Sequence, residues 1–201
     1  RRTSNIGDLM LPAIATGNVA SATASTTYDV NNSCRFNDDD SPKLNRTFGS
    51  ASSATDRKKL SLSLWVKRCT LGTQWLFTHQ NSGGTNDFTL KFESDALRLY
   101  DYQSSFQINK ITNRLFRDLS AWYSIIVIID TTLGTAGDRV KIFVNGVRET
   151  SFSTDVDPDQ NDSVHAFVET SRDTIIGIRS NDSEPLDGYL AEFHCVIGSA
   201  P

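Results

Sequence analysis

Val140-Lys141-Ile142-Phe143-Val144 alternates along an extended chain, and Asn145-Gly146 then separates it from Val147. Asn-Gly between two such runs is a strong short-range hairpin signal, because a type I′ turn needs positive φ at both central residues. Residues 140–144 and 147–152 are therefore expected to pair antiparallel. Upstream, residues 122–129 read Trp-Tyr-Ser-Ile-Ile-Val-Ile-Ile. This run is β-branched and nearly continuous, which predicts a central strand covered on both faces. In residues 60–68 the even positions are apolar through Val66 and most odd ones polar, a strand with one face in a core and Trp65 on the other. Further strands are predicted at 75–78, 88–92, 96–100, 106–108, 174–178 and 189–197. In the last of these, Tyr189, Ala191, Phe193, Cys195 and Ile197 are expected to face inward, since burying Glu192 unpaired is costly. Residues 81–84 and 132–137 are turns or loops. No window longer than a turn or two shows helical apolar spacing. About ten short strands with turn signals about every 8–12 residues predict an all-β sandwich.

The first 30 residues differ from the rest. Residues 15–27 are almost all Ala, Thr, Ser, Gly and Asn, with Val19 the only larger apolar side chain. Such a stretch buries little surface, so 1–30 is expected to be an extended arm that orders against a partner. Ile6, Leu9, Met10, Leu11 and Ile14 are its candidate anchors in a neighbour's groove. Residues 31–201 form the domain.

The chain has 201 residues, 20 Lys plus Arg against 24 Asp plus Glu, and a net charge of -4. That length supports one sizeable domain. The charge balance argues against a nucleic-acid binder, which needs a basic face. No run of about 18 apolar residues predicts a membrane span, and the start carries no secretory apolar core. Three cysteines without a Cys-x-x-Cys motif give neither a disulfide scaffold nor a Cys-rich zinc site, and point to assembly in a reducing compartment. His79, His165 and His194 have no metal-ligand spacing.

Four motifs occur in order: Phe36-Asn37-Asp38-Asp39-Asp40 with Leu44 and residues 62–68; Ala121-Trp122-Tyr123 before the apolar run; the 140–147 hairpin; and Leu186-Asp187-Gly188-Tyr189-Leu190-Ala191-Glu192-Phe193. Together, over residues 33–198, they resemble a laminin-G-like, concanavalin A-like lectin/glucanase jelly roll. The segments 35–41, 65–68 and 187–192 are similar to domains in virion and tail-fibre proteins of marine bacteriophages. The resemblance implies a two-sheet antiparallel jelly-roll sandwich whose first and last strands are neighbours, which brings Cys34 and Cys195 within conceivable disulfide reach. It also implies a non-enzymatic virion component, either capsid decoration or tail fibre. Such a component is present in many copies, attaches to other virion proteins through the arm and contacts host-surface glycan. The alternatives are a carbohydrate-binding module of a larger secreted protein and a glycan hydrolase.

Retaining glycoside hydrolysis needs two carboxylates about 5 Å apart. Asp187 and Glu192 are five residues apart, so on a regular strand they point to opposite faces. No Gly-x-Ser-x-Gly elbow occurs, and Cys195 and His194, adjacent on a strand, cannot form a dyad. Sugar sites use aromatic rings beside Asn, Asp and Gln, which singles out Trp75, Tyr100, Tyr102 and Phe106 with Asp101 and Gln103. The acidic loop 155–162 superficially suggests calcium, with Asp155, Asp157 and Asp159 as candidate oxygens. It lacks the Gly at position 6 and Glu at position 12 of an EF-hand. No other cofactor is expected. The Asn-x-Ser/Thr sequons at Asn31, Asn45, Asn161 and Asn181 are those expected by chance in so Ser- and Asn-rich a chain.

Overall fold

A computed structural model describes residues 32–48, 50–80, 86–167 and 173–201, within the compact unit Asn32–Pro201. The arm residues Ile6, Leu9, Met10, Leu11 and Ile14 lie outside the described residues. Two antiparallel sheets make the expected sandwich. One runs in the order β1 (Cys34–Phe36), β13 (Gly188–Ile197), β3 (Lys59–Arg68), β8 (Tyr123–Asp130), β9 (Val140–Val144), β10 (Val147–Arg148). The other runs β11 (Phe152–Val156), β7 (Ser105–Leu115), β6 (Ala96–Gln103), β5 (Asn86–Glu93), β4 (Gln74–Gln80), β12 (Asp173–Ile176), β2 (Leu44–Thr47). The one α-helix among the described residues is the single turn Ala136–Arg139.

Alternation builds the core. Leu60, Leu62, Leu64 and Val66 of β3 join Ile125, Val127 and Ile129 of β8 and Val140, Ile142 and Val144 of β9 on one inner face. Phe88, Leu90 and Phe92 of β5 and Leu97 and Leu99 of β6 are on the other, in the same apolar cluster. As the resemblance implied, β1 pairs with β13. The Asn145-Gly146 turn has φ 51° and 77°, both positive as type I′ requires. The hairpin it closes is short: Val147 and Arg148 pair with Val144 and Phe143, after which the chain crosses to β7 of the second sheet as β11.

Three expectations need correction. First, β8 is central in its sheet but packed on one face only, with Ile126 and Ile128 half-buried. The doubly covered strand is instead β4, buried at all seven positions although it carries Gln74, Thr78, His79 and Gln80. Second, β13 does not alternate uniformly. Its register against β3 slips between Ala191 and His194, and Glu192 has φ 50°, the signature of a β-bulge. Beyond the bulge Phe193, Cys195 and Ile197 pack on the core as expected. Before it, Leu190 is the buried core residue, while Tyr189 meets Trp122 at 6.3 Å and the Arg35 guanidinium at 5.2 Å. Third, Cys34 sits opposite Leu190, not Cys195, and all three cysteines are free. Burial pushes the Cys195 thiol up to about 12.

Candidate functional site

The side chains of β4, β5 and β6 that point away from the core form a second, polar layer. The register places Trp75 beside Lys91, Lys91 beside Arg98, and Thr89 between Thr78 and Tyr100. On the core side, a sheet this buried is stabilised by apolar contact; on this side it needs every polar group bonded. Thr78 and Thr89 share a hydroxyl hydrogen bond of 2.9 Å, and the Tyr100 hydroxyl donates to Asp87 Oδ2 at 3.0 Å. Gln80 Nε2 also donates to that carboxylate. Burial pushes the Asp87 carboxyl above the usual range, against the pull of these donors. It likewise raises the Tyr100 hydroxyl, which the neighbouring Asp87 charge raises further.

Above this layer lies a pocket of about 300 Å³. Its aromatic side is Trp75, Tyr100, Tyr102 and Phe106, brought together from three strands as the composition of residues 100–106 suggested. Trp75 and Tyr100 meet edge to face at 6.4 Å, Tyr100 and Phe106 at 5.9 Å, and Tyr102 and Phe106 at 5.0 Å. The rings differ in access. Trp75 is 1% and Tyr100 8% exposed, so both are floor, whereas Phe106 is 41% exposed and Tyr102 half-buried. Only the last two offer a face to a ligand.

Two of the sequence candidates go elsewhere. Asp101 faces the core, 1% exposed, where its oxygens receive the His165 backbone N–H at 3.1 Å and contact His165 Nδ1 at 3.0 Å. Burial raises its pKa, partly offset by that histidine. It is the strand alternation that turns Asp101 away from Tyr100. Gln103 is exposed at the end of β6 and is not part of the pocket. Among the acidic-loop candidates, Asp155 and Asp157 close on the ammonium of the buried Lys110, Asp157 at 2.8 Å, and Asp159 is exposed. A lysine thus occupies the place between the carboxylates that a cation would need. No group of three or more His, Cys, Asp or Glu converges among the described residues.

The charged groups of the pocket were not legible. Lys91 and Arg98 both bind Glu93, and Arg98 Nη1 reaches each Glu93 oxygen at 2.9 Å. Burial opposes the Glu93 charge, yet these two donors outweigh it and hold its pKa below the ordinary value. Residues 177–187 bring Arg179 and Glu184 over Trp75. The Glu184 backbone carbonyl accepts the Trp75 N–H at 3.1 Å, its Oε2 accepts the indole N–H at 2.7 Å, and the Arg179 guanidinium lies 5.2 Å from the ring centroid. Trp75 and Glu184 are 109 positions apart and share no motif.

The two carboxylates weighed for hydrolysis both have cationic or imidazole partners. Asp187 accepts from Arg35 at 2.6 Å, and Glu192 meets His194 at 3.1 Å. A larger cavity, about 460 Å³, opens between β2, β12 and β13. Its walls are mainly apolar, with Phe48, Phe77, Phe167 and Phe193 prominent; its one charged side chain is Arg46, which lies 4.9 Å from the Phe48 ring centroid, and it holds no carboxylate. Trp122, 37% exposed, makes a further aromatic pair with Tyr189, and Trp65, 38% exposed, is on the outside of the six-stranded sheet.

Solved structures share this architecture at low identity. Domain 4 of AbnA, a GH43 extracellular arabinanase from Geobacillus stearothermophilus, in complex with arabinotriose, aligns with TM-score 0.50 and 18% identity over 72% of this chain and 63% of that one. The LG4-5 domains of the mouse laminin alpha1 chain align with TM-score 0.57 and 12% identity over 88% and 47%. The Ruminococcus gnavus IT-sialidase CBM40 bound to alpha2,3 sialyllactose aligns with TM-score 0.51 and 11% identity over 80% and 93%. No curated protein sequence matches. Residues 43–196, most of the two sheets, match the family model described as the concanavalin A-like lectin/glucanases superfamily, of laminin-G type, and the chain belongs to that family.

Proposed function

We propose that this domain is a non-catalytic carbohydrate-binding module whose site is the pocket over Trp75. The observation that carries the reading is the pairing of Phe106 and Tyr102, accessible rings, with the hydrogen-bonded carboxylates of Asp87 and Glu184 and the part-exposed guanidinium of Arg179 around one cavity. An apolar ring face suits the C–H side of a pyranose, and charged groups form strong hydrogen bonds to its hydroxyls. The buried Trp75–Tyr100–Asp87 layer holds those groups in place before a ligand arrives, which lowers the ordering cost of binding. Two of the fold's neighbours carry oligosaccharides, arabinotriose and sialyllactose, which supports the class of ligand. The virion setting is a separate expectation, drawn from the resemblance of residues 35–41, 65–68 and 187–192 with 1–30 as its attachment arm, and this reading does not depend on it.

A glycan array followed by titration calorimetry tests the proposal. Phe106→Ala removes a ring outside the core that packs on Tyr100, Tyr102 and Arg98, so it should lower melting by no more than about 4 °C and weaken a captured glycan about two- to tenfold, the ~0.5–1.5 kcal/mol of an aromatic contact. Trp122→Ala, on the other sheet, should leave binding intact. The reverse pattern moves the site to the six-stranded sheet and refutes the assignment.

A further inference from the structure

We propose that the sugar taken by this pocket bears a carboxylate, as a uronic acid does, and that the Arg179 guanidinium receives it. The inference rests on the glycan reading above and deepens it. Lys91, Arg98 and Arg179 line the pocket against Asp87 and Glu184, three positive groups to two negative. Lys91 and Arg98 are both committed to Glu93. Arg179 is not comparably committed. Among the described residues its one ion pair is with Glu184, at 3.7 Å, and that same Oε2 already holds the Trp75 indole at 2.7 Å; the pocket's other carboxylate, Asp87, feels its charge but takes its hydrogen bonds from Gln80 and Tyr100.

The result is an arginine side chain 43% exposed, its guanidinium 5.2 Å from an indole centroid, with five N–H donors and no short bond to a described residue. Stacking on an indole face fixes the plane of an arginine and leaves its edge for a ligand. A carboxylate matches that edge with two parallel hydrogen bonds. The remaining pocket charges narrow the class further. Asp87 and Glu184 can accept sugar hydroxyls but repel additional anionic groups. A single carboxylate with free hydroxyls fits this arrangement, and a densely sulfated chain does not.

The test uses the full chain and paired oligosaccharides that differ only at the acid: oligogalacturonides against their methyl esters, and glucuronate-ended against glucose-ended oligomers. Wild-type protein should favour the acidic member by about tenfold. Arg179→Gln should bring the two members within about twofold, and Phe106→Ala should lower both while keeping their ratio. Equal binding of both members by wild type, still weakened by Phe106→Ala, overturns the acid assignment and leaves the glycan reading standing. Acid preference that survives Arg179→Gln overturns the role of Arg179. Binding of no member while the glycan array captures another sugar overturns this inference alone, and an array that captures nothing overturns the glycan reading with it.

Discussion

Replacing Arg68 by Met probes the ionic centre at the end of β3. The side chain is 0% exposed, and the strand alternation that points Leu60 to Val66 inward points this arginine inward too. Its guanidinium donates to the Phe116 carbonyl at 2.7 Å, the Gly72 carbonyl at 2.8 Å, Gln74 Oε1 at 3.0 Å and Asp95 Oδ1 at 3.2 Å, and lies 4.5 Å from the Phe92 ring centroid. Methionine fills much of the stem volume and makes none of those bonds. Asp95 keeps the Gly72 N–H at 2.6 Å and Arg117 at 3.0 Å, while two backbone carbonyls and an amide oxygen lose their donor. Removing one side of a buried ion pair costs about 3–5 kcal/mol, and each orphaned acceptor alone about 1–3 kcal/mol. These overlap rather than add, so the expected loss is about 4 kcal/mol. For a domain of this size that lowers Tm by about 8–16 °C. Urea unfolding measures it directly. Asp95→Asn and the double variant complete a cycle, with an expected coupling of about 1–3 kcal/mol. A loss under about 1 kcal/mol for Arg68→Met, or single effects that simply add, would show that this network does not hold the two sheets' ends together.

Other substitutions probe the turn, the packing and the titration of the pocket. Gly146→Val forces a β-branched residue to φ 77° in otherwise open space, so the cost is backbone strain alone, about 1–2 kcal/mol; unchanged thermal unfolding refutes the turn geometry. Gly177→Ala places a Cβ 2.2 Å from Phe36 Cε1, at φ 93°, and should destabilise by about 1–3 kcal/mol in chemical denaturation; a neutral effect means β1 does not press on that loop. Burial raises the Asp87 pKa in the folded state, so its favourable contribution is present below the unfolded value near 4 and is lost as pH rises through the folded one. Relative to wild type, Asp87→Asn should therefore gain stability as pH goes from about 3 to about 7. A pH-independent difference between the two would show that the carboxylate is not strained by burial.

What the sequence made legible was periodicity. The 60–68 alternation and the Asn145-Gly146 turn follow from side-chain spacing that survives in the fold, whereas the pairing of the first strand with the last comes from the family resemblance. The closing strand shows the limit. Glu192 takes a left-handed conformation that nothing local demands, and one bulged residue moves Leu190 inward in place of Tyr189. The pocket shows another limit. Trp75 and Tyr100 sit on strands covered on both sides, so no alternation says which layer they join. Their partner Asp87 sits on the strand between them, and Arg179 and Glu184 arrive from a distant segment whose sequence carries no motif. Asp101 was drawn in by adjacency to two tyrosines, and pleating separated it from both.

The outermost strands among the described residues, β1, β10, β11 and β2, are 3, 2, 5 and 4 residues long. Unpaired amides at a sheet margin invite another chain to zip on, and brevity is one way of denying that invitation. Copies of this domain held at high local density therefore have little ribbon along which to fuse, and crowding should leave them separate and individually available to ligand.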